Sequence, residues 1–214
     1  MIIGGFQKLT LIDYPGKIAC AIFTRGCNFR CGYCHNRHLI YPSEFSPLVS
    51  EKNIFLYLDK YSKNLEGIVI SGGEPTIQKD LPNFIYKLKR YKLPIKLDTN
   101  GSNPEILSFL ITRKYIDFVA MDIKTTFPNY SKVCHCNIDI ENIKQSIKII
   151  QTSGIKHQFR TTFVSDLITL EDLRKIKTIC DNSDYQIYNY VKSNSDYTVI
   201  ENSEFNKIIK NIIP

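Results

Sequence analysis

The sequence predicts an α/β protein, an open partial (β/α)6 barrel of the TIM type with parallel strands, an N-terminal lead-in and a C-terminal helix. Three observations predict it. Short apolar runs alternate about six times with stretches whose apolar residues recur at helical spacing. That alternation asks for parallel strands joined by right-handed helical crossovers. The runs end in glycine or polar residues, which places those residues together on one rim. Six units are fewer than the eight of a closed barrel, so the sheet is expected to stay open.

Residues 1–16 form the lead-in, and Asp13-Tyr14-Pro15-Gly16 reads as a turn. Lys17 to Thr24 is the first buried strand and delivers the chain into a cysteine-rich loop. After a polar connection holding Pro42 and Pro47, Ile54, Phe55, Leu58 and Tyr61 mark a helix. Gly67 to Ser71 is the second strand, and Leu81, Phe84, Ile85 and Leu88 share one face of the helix after it. Pro94 to Leu97 is the third strand. Asn103 caps the next helix, with Pro104 at its first position. Ile116 to Ala120 is the fourth strand, followed by a helix carrying Ile140, Ile143, Ile147 and Ile150. Gln158 to Val164 is the fifth. Thr169 and Asp172 then resemble a capping box for a helix with Leu170, Leu173, Ile176 and Ile179. Tyr185 to Val191 is the sixth strand, and Phe205, Ile208, Ile209 and Ile212 make a closing helix. No repeat or boundary interrupts this order, so residues 1–214 are expected to form a single domain.

The composition, 43% hydrophobic and 23% charged, is that of an ordinary globular chain. The net charge of +7 is spread over helix faces with no basic block, which argues against nucleic-acid binding. Gly4, Gly5, Lys8 and Asp13 break up the N-terminal stretch, so no signal peptide is read, and no apolar run approaches a membrane span. Seven cysteines, an odd number with three in one loop, do not make a secreted disulfide framework. A cytoplasmic location is expected.

Cys27, Cys31 and Cys34 are spaced C-x3-C-x2-C, with Tyr33 just before the last. Three thiolates on one tight loop can grip a metal centre and leave one position open. A closed zinc site needs four ligands, for which Cys20, His35 or His38 are candidates. Ser71-Gly72-Gly73-Glu74-Pro75, Asp98-Thr99-Asn100-Gly101, Asp122-Ile123-Lys124 and Arg160 fall on the same rim as the cysteines. Gly72 and Gly73 let backbone approach a ligand closely, and Glu74 can accept from a cation. Asp98 and Asp122 end neighbouring strands and need a partner such as Lys124 or a bound cation. Arg160 presents a planar fork suited to a carboxylate. Val133-Cys134-His135-Cys136 reads as incidental, in a connection away from the rim.

With these residues in place, the chain resembles the radical S-adenosylmethionine (SAM) activases of glycyl radical enzymes. Among these it is similar to the activating proteins of anaerobic ribonucleoside-triphosphate reductases. The resemblance runs through Gly4 to Lys8, Leu11 to Lys17, Thr24 to Asn36, Val69 to Pro75, Leu97 to Asn103, Val119 to Lys124 and Phe159 to Thr162. It implies one 4Fe–4S cluster on Cys27, Cys31 and Cys34, since residues 35–70 hold no further cysteine. It implies that Ser71, Gly72, Gly73 and Glu74 meet the SAM amino group, and that Asp98, Thr99, Asp122, Lys124 and Arg160 line the rest of its pocket. It places Asp13 against the glycine-bearing loop of a partner enzyme. A low-potential electron donor, a flavodoxin or ferredoxin, is implied as well. Two stretches depart from the pattern: Ile187 to Lys192 in place of a glutamine-rich run, and Val164 to Leu167 in place of Pro-Gly.

Two other readings remain at this point: a radical SAM enzyme acting on a small molecule, as a 7-carboxy-7-deazaguanine synthase does, and a zinc-stabilised module without catalysis. They part on metal content and mutation. Protein reconstituted without oxygen should bind about four irons. Cys27→Ala, Cys31→Ala and Cys34→Ala should each abolish reductive SAM cleavage. Zinc in place of iron and sulfide, or full activity without Cys31, would remove the cluster assignment.

Overall fold

The structure, a computed structural model, describes residues 1–181, 183–193 and 196–199. Among the described residues, eight strands follow one another in a sheet whose spatial order is the sequence order. They are β1 (Ile3–Thr10), β2 (Ala19–Thr24), β3 (Gly67–Gly72), β4 (Ile95–Thr99), β5 (Phe118–Asp122), β6 (Lys156–Phe163), β7 (Tyr185–Ser193) and β8 (Asp196–Val199). From β2 to β7 every pairing is parallel, which gives the six expected strands. The first and last of them do not pair with each other, so the barrel is open.

The edges differ from the sequence expectation. The lead-in is itself a strand: β1 runs antiparallel to β2. Gly4 and Gly5 weaken the strand signal there, and the register shifts twice along its length, between Ile3 and Gly5 and between Gln7 and Thr10. At the other edge, β7 turns back into β8 as an antiparallel pair. The closing helix expected around residues 205–212 lies outside the described residues.

The helices among the described residues are α1 (Arg37–Ile40), α2 (Glu51–Tyr61), α3 (Leu81–Leu88), α4 (Pro104–Thr112), α5 (Tyr130–Cys134), α6 (Ile140–Thr152) and α7 (Leu170–Cys180). Their starts follow from capping. Ser50 accepts from Asn53 N, Asn103 accepts from Ile106 N, and Thr169 and Asp172 close the expected capping box. None of them is long and apolar enough to cross a membrane. Leu58, Phe84, Leu110, Ile147 and Ile176 on these helices pack with Ile22, Ile68, Leu97, Met121 and Phe159 on the strands. Cys20 and Cys180 lie in this layer, and burial pushes each thiol up to about 12.

Strand side chains alternate between faces, so the other face lines the barrel interior. Its floor is a small separate cluster of Tyr14, Ala19, Ala21 and Val69, with Phe118 packed on it. Alanines at positions 19 and 21 leave the room that the Tyr14 ring fills. Gly67 takes part too, because a Cβ there would lie 2.8 Å from Tyr14 Cδ1. The turn after it closes with Lys17 N donating to Tyr14 O at 3.1 Å. Tyr14→Ala should empty the floor and cost about 3–5 kcal/mol of stability, by analogy with other buried aromatic truncations. Urea unfolding of the cluster-free protein measures it, and a loss well under 1 kcal/mol would show that the ring is not a plug.

Candidate active site

The cysteine loop leaves β2 at Thr24 and is tied down at once. Arg25 N donates to Ile2 O at 2.9 Å and Gly26 N to Leu39 O at 2.7 Å. Phe29 and Tyr33 are buried and anchor the loop. Cys34 N donates to Cys31 O at 3.1 Å, a tight turn between two of the three thiols. Cys27 Sγ accepts from Phe29 N at 3.3 Å and from Asn100 Nδ2 at 3.9 Å. All three cysteines line one cavity of about 610 Å3, a volume in the range of small-molecule sites.

Three thiols on one loop, all facing one cavity, suit a cluster by their donor chemistry. Burial, helped by Glu74, pushes Cys27 up to about 12, and burial also raises Cys34. Cys31 goes the other way, to about 7, because the Cys134 thiol donates to it. To act as thiolate ligands Cys27 and Cys34 would give up their protons to a positive centre bound in the cavity. Among the described residues no three His, Cys, Asp or Glu side chains are grouped to hold a single ion. A 4Fe–4S cubane does not require such a group, since each thiolate holds a different iron.

That Cys134 contact corrects one expectation. The segment Val133 to Cys136 is not away from the rim. Arg30 N on the cysteine loop donates to Cys134 O at 2.9 Å, and Cys134 is fully buried beside Cys31. A Cβ on Gly32 would lie 3.4 Å from His135 Nε2. Helix α5 brings the segment there, and Tyr130 fixes the start of that helix by accepting from Lys124 N at 3.2 Å.

The glycine pair makes its close approach to backbone. Gly73 N donates to Thr24 O and Glu74 N to Gly26 O, both at 2.9 Å. A Cβ on Gly73 would sit 1.9 Å from Gly26 O, and Gly72 takes φ +110 with Thr24 backbone 2.5 Å from its would-be Cβ. Both glycines and Ser71 still line the cavity. Glu74 does not. It is fully buried, and its carboxylate accepts from Thr76 N at 3.0 Å, Thr76 Oγ1 at 2.5 Å, Thr99 Oγ1 at 2.8 Å and Asn100 N at 2.6 Å. Burial raises its carboxyl against these four donors. The expected role of accepting from a ligand cation gives way here to bracing the end of β3 against the end of β4.

The aspartates need no added cation. Asp98 is paired with Lys96 and with Arg160 Nη1 at 3.4 Å, and it accepts from Ser71 Oγ at 2.9 Å. Asp122 is paired with Arg160 Nε at 2.8 Å and Lys124 Nζ at 3.0 Å. Burial alone would push the Asp122 carboxyl up, but Arg160 and Lys124 hold it at about 2. The same pairing raises Lys124 and Arg160 against the effect of burial. Lys96, Lys124 and Arg160 against Asp98 and Asp122 leave one positive charge in this cluster. Lys96 escaped the sequence reading as a site residue, and Asn100 was read there only as part of the rim segment Asp98 to Gly101. Asn100 donates to Asn28 Oδ1 at 2.9 Å and so binds the end of β4 to the cysteine loop. Asp13 stands at the mouth, lining the cavity, with Thr10 Oγ1 donating to its carboxylate at 2.6 Å.

A cavity walled by three cysteines at the carboxyl end of a half-open α/β barrel is the arrangement of a cluster-bearing enzyme. The description of the Radical SAM superfamily matches residues 21–181, and the chain belongs to that superfamily. Among curated proteins, it is 40% identical over 195 residues to the "Putative glycyl-radical enzyme activating enzyme MJ1227" of Methanocaldococcus jannaschii, covering 88% of this chain and 80% of that one. It is 28% identical over 189 residues to the pyruvate formate-lyase-activating enzyme of Clostridium pasteurianum, covering 84% and 76%. Among solved structures, the Streptococcus suis SuiB structure bound to S-adenosylmethionine superposes with a TM-score of 0.64 at 18% identity, over 87% of this chain and 44% of that one. That likeness establishes the shared fold.

The depressed Asp122 carboxyl sets a pH dependence. In the unfolded chain an aspartate binds its proton near pH 4. Stability from the Asp122 pairings is therefore complete above that pH and lost as pH falls toward about 2. Urea midpoints measured at successive pH values from 5 to 2.5 should fall more steeply for the wild type than for Asp122→Asn. Parallel curves would show that the pairing contributes nothing to stability.

Proposed function

We propose that this chain is a radical SAM activase that generates a glycyl radical on a partner enzyme, an anaerobic ribonucleoside-triphosphate reductase. Cys27, Cys31 and Cys34 would hold the cluster. When bound, the cluster and SAM supply one-electron cleavage of a carbon–sulfur bond and a carbon radical that takes a hydrogen atom. The rest is the work of the chain's own residues. The single positive charge left among Lys96, Lys124, Arg160, Asp98 and Asp122 suits the one carboxylate of SAM. Ser71, Gly72, Gly73 and Thr99 wall the cavity beside it. Phe29 and Tyr33 line it from the loop side and limit water. No side chain is asked to carry a proton.

The observation that carries the reading is the mouth. Ile12 and Asp13 line the cavity, yet Ile12 is 88% exposed and Leu11 66% exposed. An apolar knuckle beside an open reaction cavity suits a protein surface better than a small molecule, which a site encloses. The relative at 40% identity is named for activation of a glycyl-radical enzyme, with no partner specified. A flavodoxin or ferredoxin as electron donor belongs to the proposal, and the exposed Arg30 and Lys132 give the cysteine-loop side a basic surface for it.

Asp13 tests the reading. Its carboxylate already holds Thr10, so a purely structural role would make its loss a stability effect. If it also meets the partner loop, Asp13→Ala should keep partner-free SAM cleavage and the unfolding midpoint while glycyl radical yield on the partner falls about tenfold or more. Equal loss of both activities would assign Asp13 to the turn alone. Hydrogen taken from a purine-like compound, with no radical on any glycyl radical enzyme, would replace the activase reading.

A further inference from the structure

A second cavity of about 440 Å3 adjoins the first, sharing Ile12, Asp13 and Arg160 with it. Its other walls are Pro15, Lys96, Gln158, Gln186 and Tyr188. It lies between the turn after β1 and strands β6 and β7, which is the open side of the barrel. Lys96 and Arg160, assigned above to the SAM carboxylate, form its wall toward the first cavity; Gln158, Gln186 and Tyr188 have no part in the cluster or SAM assignments.

Gln158 is the unusual member. It is 3% exposed, and its carboxamide has no hydrogen-bond partner among the described residues, although it faces this cavity. Its polar atoms are not sealed in the protein; they open onto this cavity, where they can bond an occupant. In the sheet, Gln158 lies in register with Ala120 and Asp98, and Arg160 in register with Gln186. The short Ala120 side chain separates Gln158 from the charged pair at Asp98. Gln186, exposed at the mouth, accepts from Tyr188 Oη at 2.9 Å through Oε1 and keeps its N–H groups for the cavity.

A carboxamide offers one acceptor and a pair of donors side by side. Its complement is another amide, and a peptide backbone supplies one at every residue. A glycine has no side chain to grip, so an enzyme that selects one must read the main chain around it. We infer that Gln158 and Gln186 bind the peptide main chain of the target glycine segment in this second cavity. This rests on the activase reading. It adds the residues that receive the substrate: Gln158 deep in the barrel, Gln186 and Asp13 at the entrance.

The probe is acetyl-Gly-Gly-Gly-amide with deuterium on the α-carbons, given to reconstituted holoenzyme with SAM and dithionite. Transfer of deuterium into 5′-deoxyadenosine reports the reaction at glycine. Gln158→Ala and Gln186→Ala should each raise the KM for the peptide about tenfold, one lost hydrogen-bonded contact, with peptide-free SAM cleavage and iron content unchanged. Gln186, being exposed, keeps the test open if Gln158→Ala fails to fold. Deuterium transfer at wild-type KM in Gln186→Ala and in any folded Gln158→Ala protein overturns the glutamine pair and leaves the activase reading standing. No transfer from the peptide by the wild type, with transfer from a purine-like compound instead, overturns both.

Discussion

The contact between Gly73 and Gly26 is the constraint on which the rest of the site depends. Two loops from adjacent strands meet backbone to backbone, with no room for a single methyl group between them. That approach fixes where the cysteine loop leaves the barrel, and it lets Glu74 turn inward instead of outward. Glu74 then gathers four donors from its own turn and from the end of β4. Asn100, held by Glu74, reaches back to Asn28 and to Cys27 Sγ. Three strand ends are thus joined in a ring without any metal taking part. The loop is positioned by the protein, and the cluster would enter a prepared seat.

The second determinant is charge held inside a barrel. Lys96, Asp98, Asp122, Lys124 and Arg160 form one continuous set of ion pairs. Buried pairs of this kind add little net stability on average, but losing one partner strands the other. Their value here is orientation. Arg160 is held by two carboxylates on two strands, so its remaining donors point in a defined direction before any ligand arrives.

Much of this was legible in the sequence. The six parallel strands announced themselves as apolar runs, and the cysteines, glycines and rim aspartates fell at their ends. Other parts were not legible, for physical reasons. In Ile95 to Thr99 the polar residues alternate with apolar ones, as on a strand with one face in water. Only the curvature of the sheet shows that Lys96 faces the interior, and the same holds for Gln158. The motif around Glu74 gave its position but not its direction, which depends on the contact between loops. Strand β1 was hidden by Gly4, Gly5 and two register shifts. The approach of Cys134 to Cys31 depends on where a five-residue helix ends, which no local pattern encodes.

The order of the strands has a consequence for how the chain reaches this state. Every neighbour in the sheet is also a neighbour in sequence. Each pairing therefore closes a loop no longer than one strand–helix unit, and the entropy lost grows only slowly with such lengths. A closed barrel must also join its first strand to its last, the most distant encounter in the fold and the slowest kind to find. This chain never makes that encounter. The gap that admits a substrate also spares the chain that slowest step in folding.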